Sequence, residues 1–185
     1  ALSHVDFAVD PGTVTSVIGP NGAGKTTLFN AITGLVHTSG GEVHFKDSNI
    51  TAMPTHGRAS RGIVRSFQNL EIFSNMSILE NVMTGAHARV RYPFVSALFK
   101  TPGFFRGEAE CRRIALECLE FVGLDADPNG PATDLPFGRQ RLLEMARAIA
   151  AGPKLLLLDE PAAGLNNSET AALGRLIRRI GQELS

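Results

Sequence analysis

The sequence has no excess of charge of either sign. Its 185 residues contain 18 Lys and Arg against 18 Asp and Glu, so the formal net charge is zero. Such a protein is not drawn as a whole onto nucleic acid or anionic lipid, and any such partner must be bound locally. The longest apolar runs are only a few residues, far short of the roughly 20 needed to span a bilayer, and no signal peptide opens the chain. We therefore expect a soluble, cytoplasmic protein.

Cysteine is scarce as well. Cys111 and Cys118 are the two cysteines, and their spacing in a helical pattern favours two buried thiols on one helix face over a disulfide or a metal site. The five histidines are scattered without ligand spacing, so we assign none of them a function. A hydrophobic content of 43% is enough for one domain with a subdomain.

A glycine-rich loop dominates the N-terminal third. It matches the pattern G-x-x-x-x-G-K-[ST], with an apolar β-branched run before it and a helix-forming run after it, which is the context that a phosphate-binding loop requires. The glycines allow successive N–H groups to face phosphate oxygens, and the following helix adds its positive end. Lys25 is predicted to reach the β- and γ-phosphates, and Thr26 to bind Mg²⁺. The predicted nucleotide-binding residues are Gly19, Pro20, Asn21, Gly22, Ala23, Gly24, Lys25, Thr26 and Thr27.

Two adjacent carboxylates follow a run of four leucines. Residues 155–158 are all Leu, and Asp159 and Glu160 come next. A continuous apolar strand is typical of a parallel sheet buried on both faces, so these acids should emerge beside the phosphate loop. Asp159 is predicted to bind the Mg²⁺ held by Thr26. Glu160, on the other side, is predicted to be the general base that deprotonates the attacking water.

The remaining pattern predicts an α/β fold. Strands are expected at 2–9 and 13–18, joined as a hairpin by Pro11-Gly12, and at 42–46 and 63–67. The strand at 63–67 ends in Gln68, at the ligand-binding edge of an open sheet. Helices are expected at 25–33, within 54–60, at 78–89 after a Ser77/Glu80 capping box, at 108–122, over about 142–151 and at 168–184. Residues 92–105 are expected to be irregular.

These motifs together resemble the ATP-binding-cassette (ABC) ATPases. Residues 19–27 resemble a Walker A motif, Gln68 in Ser-Phe-Gln resembles a Q-loop, and residues 155–160 resemble a Walker B motif. Six consecutive residues resemble the signature that defines the family: Leu135, Pro136, Phe137, Gly138, Arg139 and Gln140. The segments Asp-Glu-Pro-Ala-Ala-Gly-Leu-Asn at 159–166 and Lys-Thr-Pro-Gly-Phe at 100–104 are similar to the ATP-binding subunit of branched-chain amino-acid importers.

The resemblance implies an architecture and a reaction. The fold would be a P-loop NTPase core with a mostly parallel sheet, an N-terminal antiparallel β part and an inserted helical subdomain. Residues 1–75 and 151–185 would form the core, and residues 76–150 the helical subdomain that ends in the signature and its helix. The protein would hydrolyse ATP with Mg²⁺, and Gln68 would contact the Mg²⁺ or the attacking water as a catalytic and metal-binding residue.

The resemblance also implies partners. A second ABC ATPase subunit would pack head to tail, so that each nucleotide meets one subunit's phosphate loop and the other's signature. Membrane permease subunits would hold the protein at the cytoplasmic side of the cell membrane, and a periplasmic solute-binding protein would act indirectly. No nucleic acid is expected. Residues 70–81 would dock the permease; the alternative is that their apolar side chains seal the helical layer onto the core.

Some family features differ or are missing. Pro136 and Phe137 stand where the signature usually has Ser and Gly, Arg139 replaces Gln, and Asn166 replaces Asp. The aromatic residue that stacks on adenine and the histidine that polarises the γ-phosphate have no counterpart in the chain, so we expect a cassette truncated at both ends, with weak Mg-ATP binding and slow turnover.

The motifs also suit two other kinds of function. The chain would also suit another importer, or an ABC ATPase of DNA repair or chromosome machinery. In the latter, a long coiled coil separates the first motif from the signature, and no sustained heptads occur here. A regulator that binds nucleotide without turnover is disfavoured by Asp159 and Glu160.

Overall fold

The computed structural model describes residues 2–66, 71–90 and 101–183. In these ranges the helices are α1 (Lys25–Thr33), α2 (Thr55–Ser60), α3 (Ile78–Ala86), α4 (Pro102–Val122), α5 (Phe137–Ala150) and α6 (Asn167–Glu183), with a 3₁₀ turn at Ala132–Asp134. The strands are β1 (His44–Phe45), β2 (Ser48–Asn49), β3 (Ile63–Ser66) and β4 (Leu155–Leu158).

The strands form one parallel and one antiparallel pair. β3 and β4 are parallel, with Ile63 opposite Leu155 and Ser66 opposite Leu158. β1 and β2 are antiparallel neighbours. The predicted fold class, an α/β protein with a parallel core and an antiparallel part near the N-terminus, is confirmed.

The predicted N-terminal hairpin is wrong in its position. Residues 2–18 contain a turn at Pro11-Gly12, where the Thr13 amide donates to the Asp10 carbonyl at 3.3 Å, but in the described chain neither flank of that turn is a strand. Both flanks are exposed, and Ile18 is 91% exposed. A strand needs a neighbour for its backbone groups and a covered face for its apolar side chains, and alternation in the sequence supplies neither. The antiparallel pair lies instead at β1 and β2.

β4 lies between two apolar clusters. Leu157 is buried with Ile50 and Ile63, whereas Leu156 and Leu158 pack against the cluster formed by the helices. Both faces of this strand therefore meet apolar side chains, as predicted. Only Leu157 of the four leucines is fully buried, because β4 has a single strand neighbour, β3, in the described part of the sheet.

The helical layer is built from α3, α4 and α5. The capping box at α3 forms as predicted: the Glu80 amide donates to Ser77 Oγ, and the Ser77 amide donates to Glu80 Oε2. Both cysteines are buried on α4. α3 crosses α5 so closely that a Cβ on Gly85 would collide with the Arg147 carbonyl. The observed boundaries differ in three places: α3 ends at Ala86, α5 already begins at Phe137, and α4 begins at Pro102, where a proline in the first turn favours helix initiation. Residues 91–100 of the stretch expected to be irregular lie outside the described residues.

Arg58 fixes the C-terminal end of α1. It is buried, and its guanidinium donates to the carbonyls of Ala31 and Ile32 at 2.6 and 2.9 Å. Two further N–H groups of Arg58 donate to the backbone carbonyls of Thr51 at 2.7 Å and Met53 at 2.9 Å. The last carbonyls of a helix have no partner within the helix, so this side chain satisfies two of them and holds the helix that carries the phosphate loop.

Candidate nucleotide-binding site

The glycine loop has the backbone that the sequence predicts. Gly22 and Gly24 have φ values of 82° and 95°, in the left-handed region that favours glycine. The Ala23 amide donates to the Pro20 carbonyl at 3.2 Å, and the Leu28 amide to the Gly24 carbonyl at 2.9 Å. A Cβ on Gly24 would also lie 2.8 Å from Cδ2 of Leu2. Both backbone angle and space therefore require glycine where the loop enters α1.

Lys25 lies across the start of this loop. Its ammonium donates to the carbonyls of Gly19 at 2.6 Å and Pro20 at 3.0 Å. The first turn of α1 contains no acidic residue, and Gly24 supplies no side-chain cap. The first N–H groups of a helix have no partner within it and carry a positive potential. The loop thus combines a held ammonium with a helix terminus suited to an anion.

Thr26 and Thr27 complete the loop. Thr26 is exposed in the first turn of α1, and Thr27 is half-buried. Of the earlier loop residues, Gly19 is half-buried and residues 20–23 are exposed. The hydroxyl of Thr26 is therefore accessible to a ligand at the loop.

Asp159 is tied to the phosphate-loop helix by an arginine. Oδ2 of Asp159 accepts from Arg65 at 2.8 Å, and both side chains are nearly buried, at 8% and 9% exposure. A second N–H group of Arg65 donates to Oδ1 of Asn30 on α1 at 2.6 Å. This chain of contacts joins the carboxyl end of β4 to the helix that begins with Lys25. Arg65 was missed by sequence reasoning, because an Arg in a short apolar strand looks like a solvated end.

Glu160 lies in a different environment from Asp159. It is exposed, and its φ of 47° is left-handed, which is uncommon for a residue other than glycine. Its carbonyl accepts from the Ala163 amide at 3.0 Å, closing a tight turn. The two neighbouring acidic residues therefore differ in burial: Asp159 is buried, and Glu160 is exposed.

The signature-like segment opens α5. Pro136 is the N-cap residue and makes no side-chain hydrogen bond to the first amides of the helix. Arg139 donates to the Asp125 carbonyl at 3.0 Å, and Gln140 to the Leu135 carbonyl at 2.9 Å. Leu135 is buried, whereas Phe137 is 44% exposed. The side chains of Arg139 and Gln140 are therefore bound within the chain, and Phe137 is the exposed side chain of this helix start.

The segment after Asp159 packs on the start of α5. A Cβ on Gly164 would lie 2.8 Å from the Phe137 ring, and one on Gly138 would collide with Oε1 of Glu169. Glu169 also accepts from the Asn166 amide at 3.0 Å, and Asn166 Oδ1 accepts from the Glu169 amide at 3.0 Å. Asn166 and Glu169 thus form a capping box at α6, a local signal that the sequence analysis missed.

A buried ion pair lies one turn further along α5. Arg141 donates to Glu144 at 3.0 Å, with both side chains almost fully buried. Burial raises the pKa of Glu144, and the hydrogen bond and charge of Arg141 oppose that rise. The guanidinium of Arg141 also lies 5.4 Å from the centre of the Phe137 ring. The exposed Phe137 is therefore backed by charged groups inside the protein.

Gln68 and Leu70 lie outside the described residues, but the segment that follows is held firmly. The buried Asn81 accepts from the Phe73 amide at 2.8 Å and donates to the Phe73 and Ser77 carbonyls at 3.1 and 2.9 Å. Ile72 packs on the helical cluster. The Phe73 ring, 44% exposed, lies 5.2 Å from the guanidinium carbon of Arg147.

Comparison with known proteins decides the family. The model of the family described as "ABC transporter" matches residues 2–163. The chain belongs to the ABC transporter family. It is 43% identical over 183 residues to the high-affinity branched-chain amino acid transport ATP-binding protein BraF of Pseudomonas aeruginosa, covering 99% of this chain and 72% of the relative. It is also 40% identical to the high-affinity branched-chain amino acid transport ATP-binding protein LivG of Escherichia coli, covering 97% of this chain and 71% of the relative.

Solved structures of ABC cassettes have the same fold. The ADP conformation of the cassette MJ1267 has a TM-score of 0.80 at 33% identity, covering 96% of this chain and 69% of that one. The dimeric bacterial cassette MJ0796 has a TM-score of 0.76 at 25% identity, covering 96% of this chain and 73% of that one. This ABC protein is accordingly a nucleotide-binding ATPase cassette. In its described residues, no helix has the length and apolar character needed to cross a membrane.

Proposed function

We propose that this ABC ATPase is the ATP-hydrolysing subunit of an importer for branched-chain amino acids. One observation carries the enzymatic part: Asp159 is joined through Arg65 to the same helix that begins with Lys25. A metal-binding carboxylate and a phosphate-binding ammonium are thereby held in one framework, as phosphoryl transfer requires. The substrate class rests on the similarity to BraF and LivG.

The phosphates of ATP would lie on the loop formed by residues 19–27. Loop amides and the first amides of α1 would donate to phosphate oxygens. The Lys25 ammonium, which contacts two loop carbonyls at its start, would reach the β- and γ-phosphates. Binding free energy is therefore expected to depend strongly on Lys25 in the ground state.

The donors at this site suit Mg²⁺. In the described ranges, no cluster of three His, Cys, Asp or Glu side chains is placed to hold a metal. Mg²⁺ needs no such cage, because it commonly binds through one or two protein oxygens, water and substrate phosphates. The accessible hydroxyl of Thr26 and the carboxylate of Asp159 provide such oxygens, and Gln68 would add an amide oxygen. When bound, the ion would neutralise charge on the phosphates.

Glu160 would serve as the general base. It is exposed after the end of β4, one residue beyond the buried Asp159. Its backbone is in the left-handed conformation, with a φ of 47°. Strained backbone at such positions is frequent in functional sites. Its carboxylate would orient a water in line with the γ-phosphate and accept the proton as the water's oxygen attacks phosphorus.

A second cassette would complete the site. The start of α5 carries the exposed Phe137, and its N-cap residue, Pro136, makes no side-chain cap bond. In a head-to-tail dimer this terminus, formed by residues 135–140, would face the γ-phosphate bound on the partner's loop. Permease subunits would dock on the segment after Gln68 from the cytoplasmic side, and a periplasmic solute-binding protein would deliver the amino acid to them.

The three-part division of the chain fits this scheme. Residues 1–75 and 151–185 would bind the nucleotide, and the helical subdomain, 76–150, would carry the signature to the second subunit. Within one chain, Phe137 of the signature lies close to Gly164. The signature and the segment after Walker B therefore pack against each other. Closure of the dimer would then move both together.

Uptake by membrane vesicles tests the proposal. The protein is co-expressed with its permease subunits, and ATP-dependent uptake of labelled leucine, isoleucine and valine is measured with the solute-binding protein present. We expect uptake of at least one of the three and none with Lys25→Ala. ATP hydrolysis without uptake of any would overturn the substrate class, and absence of nucleotide binding would overturn the proposal as a whole.

A further inference from the structure

Arg65 links its own strand, β3, to two other parts of the fold. From β3 it donates to Asp159 after β4 at 2.8 Å and to Asn30 of α1 at 2.6 Å. Its guanidinium carbon also lies 5.7 Å from the centre of the Phe29 ring on α1. The two polar contacts use different terminal nitrogens, so neither depends on giving up the other.

The register of the sheet explains why an arginine fits here. Arg65 is paired with Leu157 in the parallel ladder, and Asp159 follows two residues later, at the strand's end. A planar guanidinium presents several N–H groups in a rigid fork and therefore serves two acceptors at fixed positions, which an ammonium on a flexible stem does less well. The sequence position of Arg65 thus matches a bridging role rather than a solvated strand end.

The ion pair between Arg65 and Asp159 is nearly buried. Arg65 and Asp159 are 9% and 8% exposed, and removing one partner of a buried pair leaves the other charge uncompensated. The ion pair uses Oδ2 of Asp159, so the other carboxylate oxygen is not needed for this contact. A carboxylate held by one oxygen keeps a defined orientation for a ligand on the other.

We propose that Arg65 is a positioning residue that orients the Asp159 carboxylate for Mg²⁺ and, through Asn30, ties it to the phosphate-loop helix. The inference rests on the proposed function, in which Asp159 belongs to the Mg²⁺ site. Partners that orient a metal ligand commonly change metal affinity by about 10- to 100-fold when removed. Arg65 would therefore act on the metal through its contact with Asp159.

Nucleotide binding with and without Mg²⁺ separates this role from a purely structural one. A fluorescent ATP analogue is titrated onto wild type, Arg65→Met, Arg65→Lys and the control Arg112→Met, which removes an exposed arginine on α4. Affinity in chelator should change little in every variant. The gain in affinity on adding Mg²⁺ should fall by about tenfold or more in Arg65→Met, less in Arg65→Lys, and not in the control.

The outcomes are distinguishable. A gain with Mg²⁺ in Arg65→Met equal to that of wild type, or greater, would overturn the inference and leave the proposed function standing. No gain in wild type would count against the proposed function itself. If Arg65→Met does not fold, Arg65→Lys serves in the same titration.

A double-variant cycle provides a second, independent measurement. Arg65→Met and Asp159→Asn are each compared with wild type and with the double variant by thermal unfolding. The fall in Tm of the double variant should be clearly smaller than the sum of the two single falls, because the second change removes a charge that the first left unpaired. Additive falls would contradict the contact on which the inference depends.

Discussion

Asp159 and Glu160 are neighbours in the chain but occupy opposite environments. Asp159 is buried and bound to Arg65, whereas Glu160 is exposed at a left-handed turn. A carboxylate that binds a metal benefits from a fixed, sheltered position, whereas one that accepts a proton from water must reach solvent and substrate. The backbone turn at Glu160 produces both conditions within two residues.

Replacement of Lys25 by alanine should weaken nucleotide binding itself. The ammonium is held at the loop by two carbonyls and contacts the phosphates in the ground state in our proposal. Loss of a charge-assisted contact of this kind costs about 1.5–3 kcal/mol, or roughly 10- to 100-fold in affinity. Isothermal titration with ATP checks this, with Lys154→Ala, an exposed lysine, as the control. Unchanged affinity for Lys25→Ala would contradict the role of the loop.

Phe73 should contact the permease. Its ring is 44% exposed while Asn81 anchors its backbone, and a rigidly held exposed aromatic residue suits an interface. Phe73→Cys and Ser74→Cys should crosslink to a permease subunit, whereas Arg112→Cys on α4 should not. The two native cysteines are buried, so their background reaction should be low. Failure at both positions would favour the alternative in which this segment only seals the helical layer onto the core.

Cys118 should make stability fall in alkali. Burial raises the pKa of this thiol from 9.0 to about 11. The folded state thus favours the protonated thiol, which stabilises it fully below pH 9, and this contribution is lost as the pH rises through 11. A shift of this size corresponds to at most about 3 kcal/mol.

Urea unfolding near pH 8 and near pH 10.5 measures this effect. The loss of unfolding free energy between the two should be smaller in Cys118→Ala than in wild type. The control variant Leu119→Ala removes buried atoms next to Cys118 but no titratable group. Its unfolding free energy should therefore fall between the two pH values by as much as that of wild type. Equal losses in all three proteins would show that the thiol does not contribute.

Arg58 should stabilise the fold through α1. It donates to four backbone carbonyls while buried, and Arg58→Met would leave them without these donors. We expect the free energy of unfolding to fall by about 2–4 kcal/mol. Arg61→Met, which removes an exposed arginine at the end of the same short helix, should change it by less than about 0.5 kcal/mol. Similar losses in both variants would argue against the capping role.

Several features that depend on neighbouring residues were predicted, although the Asn166/Glu169 capping box was missed. The Ser77/Glu80 box starts α3 as expected. The glycine loop, β4 and the buried face of α4 depend likewise on neighbouring residues or on a regular period, so a short window contains the signal.

Features that depend on distant partners were not predicted. Arg65 and Asp159 lie far apart in the chain, and the role of each is defined only by the other. The same holds for Arg58 and the end of α1. The segments at 2–9 and 13–18 alternate as strands do, yet a strand forms only where a neighbour pairs with it. The sequence therefore predicted the glycine loop and the strand before Asp159, but not the distant side chains that contact Asp159 and the end of α1.

The most direct measurement is ATP hydrolysis by the protein assembled with its permease subunits, compared between wild type and Glu160→Gln. Loss of a general base slows a reaction by about two to four orders of magnitude, and the amide keeps the size of the side chain while removing its proton acceptor. We predict that Glu160→Gln binds Mg-ATP nearly as wild type does and hydrolyses it about 100- to 10,000-fold more slowly. Normal turnover in Glu160→Gln, with binding intact, would contradict the account.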